Sequence, residues 1–118
     1  MGMDHNVVVV GWNRALPGLE KQALAAFTES QALYAKAQAA GQIASFETVL
    51  LSRHGGDFNG FVLLRGDHGK LHDFIHGEEF LTAVMRAELS VSHGGVIEGW
   101  SGPALGDVMG LWARLITS

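Results

Sequence analysis

The sequence predicts an α+β fold: one four-stranded antiparallel sheet with helices on it, in the order β-α-β-β-α-β, followed by a terminal helix. Three observations lead there. Residues 7–10 are an unbroken run of valine. Apolar side chains then recur at steps of three and four, first over 19–37 and again over 71–87, which is the period of a helix face. Glycine-rich clusters separate the remaining apolar runs, and such clusters mark turns.

The valine run suits a strand buried on both faces, and it continues to about Trp12. Pro17 is then expected at a first helical position, where its missing N–H costs nothing. Leu19, Ala23, Phe27, Ser30, Tyr34 and Ala37 line one helical face, and Gly41 ends the helix, which spans 17–40. Residues 42–53 have strand composition. The cluster His54-Gly55-Gly56-Asp57-Phe58-Asn59-Gly60 is a turn, and Phe61-Val62-Leu63-Leu64-Arg65 is the returning strand of a hairpin. His54 and Asp57 are assigned to that turn.

Asp67 is placed to cap the next helix. Leu71, Phe74 and Ile75 form its apolar face, and Gly77 interrupts it. Glu78 and Glu79 favour a restarted helical N-terminus, where the helix dipole prefers negative charge. The result is one broken helix or two short ones from 67 to about 90. Residues 93–100 form the fourth strand, whose glycines suggest a bulge or a close backbone approach. Gly102-Pro103 opens a last helix with Leu105, Val108, Met109, Leu111, Trp112, Leu115 and Ile116 as its apolar positions.

This order is that of a ferredoxin-like domain, built from two right-handed βαβ-type halves and occupying 1–118 as a single domain. The histidine-glycine-glycine triplets at 54–56 and 93–95 do not fall at equivalent places in the two halves and are read as coincidence.

Composition narrows the partners. The chain has 118 residues, 47% of them hydrophobic and 17% charged. Soluble domains carry roughly 25% charge, so less of this surface is marked for water. The net charge of −4 and eight scattered Lys and Arg residues argue against nucleic acid, which needs a concentrated cationic face. Without cysteine there is no disulfide and no thiolate chemistry. The valine run is too short for a membrane span or a leader, so no membrane is expected and the chain is read as cytoplasmic.

Both sheet faces carry apolar residues. Ala44, Phe46 and Leu50 share one face of the second strand, and Ile43, Val49 and Leu51 the other; Phe61 and Leu63 oppose Val62 and Leu64 on the third. Both faces are therefore expected to be covered, and an identical sheet from a second chain is the simplest cover. A homodimer through the sheet face follows. The last helix has only Asp107 and Arg114 as charges between Pro103 and Ile116, so it is expected to be mostly buried, on its own domain or on the partner.

The segment Leu71-His72-Asp73-Phe74-Ile75-His76-Gly77-Glu78-Glu79-Phe80-Leu81-Thr82-Ala83 resembles the helix after the third strand in dimeric α+β barrel proteins. That superfamily includes antibiotic-biosynthesis monooxygenase-like, stress-responsive barrel and EthD-like proteins. The shared elements are a short helix, a small-residue break, a Glu-Phe pair and a restarted helix. Haem-degrading members pair an Asn on the first strand with a Trp on the third and a His on the restarted helix. Asn6 matches the first, but 61–65 holds no Trp and Val84 stands near the expected His. Haem degradation is not expected.

Candidate site residues come from several clusters. His68, His72 and His76 are spaced by four and share a helix face, where a pair can bind a divalent metal. The same spacing describes a solvated stripe, and two histidines without a nearby carboxylate do not complete a site; no metal is expected. His76, at the helix break, is the better acid–base candidate. Glu98 shares a strand face with Val96 and Trp100 and needs a cation, for which Arg65 is the candidate. Interface or sheet-edge charges are the plainer reading of both. Trp12, Trp100 and Trp112 suit core or interface.

Two functions fit. In the first, a cleft between sheet and broken helix binds or transforms a small apolar or aromatic metabolite without a tightly bound cofactor. His76 and Glu98 are then catalytic, and Trp12, Arg65 and His72 hold the ligand. In the second, the chain is a non-catalytic dimeric structural or stress-associated module.

Overall fold

β-Branched residues fit a pleated surface buried on both sides, and the valine run lies inside the sheet. The computed structural model describes residues 3–117. β1 (Val7–Trp12), β2 (Ser45–Leu50), β3 (Gly60–Arg65) and β4 (Gly95–Gly99) form one antiparallel sheet in the order β2-β3-β1-β4. Between them run α1 (Glu20–Ala39), α2 (His68–Ile75) and α3 (Glu78–Glu88), with α4 (Pro103–Thr117) last. This is the predicted ferredoxin-like order.

Register sorts the side chains. Val8 pairs with Leu64 and Glu98, and Val10 with Val62 and Val96. These residues share one face, because alternate strand residues point the same way. The helices cover that face. Val8, Val62 and Leu64 are buried there with Tyr34 and Ala37 of α1, Leu71, Phe74 and Ile75 of α2, and Phe80 of α3. Tyr34, Phe74 and Phe80 meet with ring centroids 5.4–6.5 Å apart. The opposite face carries Val9, Phe61, Leu63, Val49 and Ile97, as the two-faced apolar reading requires. Ile97 is 62% exposed.

Several boundaries move, each for a local reason. Pro17 does not open α1. Leu16 to Leu19 form a turn with Gly18 at φ 82° and Leu19 N–H donating to Leu16 O at 2.9 Å. Proline followed by a positive-φ glycine is the signature of a type II turn, so the helix starts three residues later than expected. Its other end behaves as read. Gly41, at φ 76°, donates to Gln38 O, and Gln42 N–H reaches back to Ala37 O, the paired bonds of a Schellman cap. β2 and β4 are shorter than 42–53 and 93–100. The β1–β4 register runs without a bulge; open space stands where a Cβ would sit on Gly95, and one on Gly99 would meet Val7 Cγ2 at 3.4 Å, an ordinary contact, so neither glycine of β4 serves a close approach.

α2 and α3 are two helices. Asp67 caps α2, accepting from Lys70 N–H at 3.2 Å, and Gly77 is the N-cap of α3. α4 departs from expectation within one chain: none of its residues is buried, and Trp112 is 55% exposed. It leaves the body at a fixed point, because Asn6 Nδ2 donates to Ser101 O and Ser101 N–H to Asn6 Oδ1, both at 2.9 Å. The radius of gyration is 16.0 Å, against about 13–14 Å for a compact chain of this length. No helix among the described residues is long and apolar enough to cross a membrane.

Candidate functional site

A cleft of about 840 Å³ opens between the helix-covered sheet face and helices α1 and α3. Its size falls within the usual range for small-molecule sites. Val10, Val62 and Val96 make its floor. Ala23 and Ala26 of α1 face it from one side, and Ala83 and Ala87 of α3 from the other. Methyl side chains at these four positions leave room that leucine would fill.

Trp12 lies within this cleft, edge-on to Phe27 with centroids 6.0 Å apart. A Cβ built on Gly60 would come 2.5 Å from the Trp12 ring. Glycine at 60 is what lets the indole lie down on β3. The same device recurs on the opposite face, where Phe58 covers Gly11 and stacks on Phe61 at 5.5 Å.

The mouth is polar, and the sheet register builds it. The C-terminal ends of β1 and β2 and the N-terminal ends of β3 and β4 lie at the same end of the sheet. Asn13, Arg14, Arg53, His54 and Asn59 therefore converge on the cleft. Asn13 is only 7% exposed. Its Oδ1 accepts from Asn59 Nδ2 and, at 3.4 Å, from Arg14 Nε; its Nδ2 donates to His93 Nδ1 at 3.3 Å. His93 holds that position from the left-handed region, at φ 53°. His54 Nδ1 accepts from Gly56 N–H at 3.2 Å while Nε2 faces Phe58 O at 2.8 Å, which places its proton on Nε2. The two histidine-glycine-glycine triplets, in the β2–β3 and α3–β4 loops, come to this one mouth because β3 and β4 both pair with β1.

The α1 wall carries Ser30, Gln31 and Tyr34. Burial pushes the Tyr34 phenol up to about 12, and a hydrogen bond with Ser30 opposes part of that rise. Thr48 Oγ1 donates to Gln31 Oε1 at 3.1 Å. The Nε2 of Gln31 is buried and has no hydrogen-bond partner among the described residues.

Of the residues expected from sequence, only Trp12 lines the cleft. His76 is exposed at the C-cap of α2; its Nδ1 donates to His72 O at 2.8 Å and its ring stacks on His72 at 4.2 Å. Glu98 does not meet Arg65. The two sit on opposite sheet faces, Glu98 beside His5 at 3.8 Å and Arg65 beside Glu47 at 3.5 Å. His72 is exposed and 3.7 Å from Asp73, nearer than the divergence of adjacent helical residues suggests. His68, His72 and His76 do share a face, but no group of three His, Asp or Glu side chains converges as metal ligands would among the described residues. Asn6 spends its side chain on Ser101.

Asn13, Gln31, Asn59 and His93 went unread. Three of them lie in turn clusters and one on a helix flank, where a polar residue reads as solvated. The legible signal was the row of alanines facing one another across α1 and α3.

No protein-family profile matches the chain, and no curated protein matches its sequence. Solved structures do. A dimeric protein of unknown function and ferredoxin-like fold from Bacteroides fragilis is 12% identical, with a TM-score of 0.59 over 86% of this chain and 98% of its own. SnoaB, a cofactor-independent oxygenase from Streptomyces nogalater, is 16% identical, with a TM-score of 0.51 over 83% and 96%. An antibiotic biosynthesis monooxygenase is 15% identical, with a TM-score of 0.55 over 82% and 99%. At these identities the likeness is one of fold, the ferredoxin-like fold.

Proposed function

We propose that the chain is a homodimeric binding protein for a small apolar, aromatic metabolite, held in the cleft between the sheet and helices α1 and α3. The cleft itself carries this reading: about 840 Å³ floored by valines, walled by alanines and closed along one side by the Trp12 indole. An aromatic compound entering it exchanges water for methyl groups and one ring face. The polar mouth can orient it, and the reading needs no tightly bound cofactor. The dimeric state of the ferredoxin-like protein from Bacteroides fragilis and the apolar second sheet face of this chain support pairing through that face.

Trp12 reports the test in a chain whose Trp100 and Trp112 are replaced by Phe. Titration with a panel of neutral tricyclic aromatics should quench its fluorescence and raise the melting temperature. Ala87→Phe, which puts a ring into the cleft from a half-buried position on α3, should abolish both effects while leaving helix content unchanged. A panel without a hit, or binding undiminished in Ala87→Phe, would place the function elsewhere and favour a non-catalytic dimeric module.

A further inference from the structure

We infer that the ligand of the cleft carries a carboxylate, which Arg14 and Arg53 hold at the mouth. The inference rests on the cleft being a ligand site and adds the charged group that its aromatic occupant bears. Arg14, Arg53 and Glu88 are the charged residues that line the cleft. Backbone bonds to one residue set the two arginines at the same end. Asn59 N–H donates to Trp12 O at 2.9 Å, two residues before Arg14, and Asn59 O accepts from Leu51 N–H at 3.0 Å, two residues before Arg53. Arg14 is held further by its Nε, which donates to Oδ1 of the buried Asn13 at 3.4 Å. Lys36, Arg65 and Arg86 each have a carboxylate partner. Arg14 and Arg53 have none among the described residues, and neither Arg53 nor the Nη groups of Arg14 donate to any described residue. A guanidinium keeps its charge throughout the pH range of a folded protein, and its planar fork matches the two oxygens of a carboxylate. Two arginines against Glu88 leave one positive charge at the mouth, on a chain of net charge −4. That balance suits a monoanion. A ring seated on the valine floor would also keep water from one side of the ion pair, which strengthens the attraction. The cleft thus fits an aromatic acid, ring inward and carboxylate at the mouth.

The carboxylate and the carboxamide of anthracene, substituted at the same ring carbon, are alike in shape and differ in charge. Equilibrium dialysis at neutral pH gives a dissociation constant for each, and the quantity read is their ratio. Arg14→Met and Arg53→Met keep an unbranched stem and remove the charge; both positions are exposed, so the fold should be unchanged by circular dichroism. Each variant should shift the ratio toward the carboxamide about threefold, and the double variant about tenfold, the order of two partly exposed ion pairs. Glu88→Gln should shift it about threefold the other way. Arg65→Met, at the other end of the sheet, removes the same charge and should leave the ratio where it was. If both probes bind and the ratio is the same in the wild-type chain and the double variant, the arginines hold no carboxylate and the cleft stands as a site. Binding of the carboxamide alone to the wild-type chain has the same meaning. A shift in Arg65→Met equal to that of the single mouth variants makes the effect one of net charge and also overturns the inference. Binding of neither probe to the wild-type chain removes the site itself, and this inference with it.

Discussion

Two residues show how burial and close approach give this site its character. Tyr34 is the chain's one tyrosine and is 2% exposed. Burial raises its phenol to about 12, whereas the unfolded chain ionises near 10. Between those values the unfolded state loses a proton that the native state keeps. Stability from this group is thus complete below pH 10 and is lost as pH rises through 12. The size is on the order of 2–3 kcal/mol. Tyr34→Phe should remove that alkaline sensitivity, which chemical denaturation of both proteins from pH 9 to pH 12 would check, with phenolate absorbance followed in the wild type. Gly60 acts through space rather than charge. Gly60→Ala must push the Trp12 ring off β3, at a cost of about 1–3 kcal/mol, and into the cleft. The expected outcome is a blue- or red-shifted Trp12 emission with weakened aromatic binding. None of this closeness was legible in sequence. Gly60 read as one more turn glycine, because the contact that requires it comes from β1 in the folded sheet. Tyr34 was legible as core from its place in the α1 stripe.

At the scale of elements, the sequence marked what local chemistry decides and lost what register decides. Gly41 as a helix stop and Asp67 as a cap are both present, since each bonds within a few residues of itself. Pro17-Gly18 failed because the same pair signals a helix start and a type II turn, and the positive φ of Gly18 chose the turn. Glu98 and Arg65 failed because a strand's parity is set by its partner: β4 and β3 both pair with β1, at residues one apart, which sends the two charges to opposite faces. Helices α1 and α3 are joined by exposed pairs, Lys36 with Glu79 and Arg86 with Glu29. Such pairs contribute little, about 0–1 kcal/mol, so the cleft width rests on the packing beneath them. Asn6 is the element-scale hinge. Its two bonds to Ser101 fix the direction of α4. Asn6→Ala should leave the sheet intact and speed amide exchange in 101–106 at least tenfold, matching about 1–3 kcal/mol for two bonds.

For the whole molecule, one chain leaves two apolar surfaces uncovered. One is the open sheet face, with Val9, Leu63 and Ile97 at its centre. The other is the stripe of α4, where Leu105, Val108, Met109 and Trp112 fall within a third of the helix circumference and Asp107 and Arg114 fall opposite. The molecule measures 54 × 36 × 20 Å. Its short axis fits one sheet and one helix layer, at roughly 10 Å each. α4 accounts for much of the excess length, since fifteen residues at about 1.5 Å give roughly 22 Å. Two copies joined face to face would bury both sheets, and each α4 would be long enough to lie on the other copy. Leu63→Glu puts a charge at the centre of the sheet face, where desolvating it without a partner costs several kcal/mol. Sedimentation should find the wild-type chain dimeric at micromolar concentration and Leu63→Glu monomeric with unchanged helix content. A chain ending at 101 separates the two surfaces. If α4 grips the partner, its removal weakens the dimer at least tenfold; a dimer of undiminished affinity assigns the contact to the sheets alone. A stable wild-type monomer would leave both faces bare in water and refute the pairing.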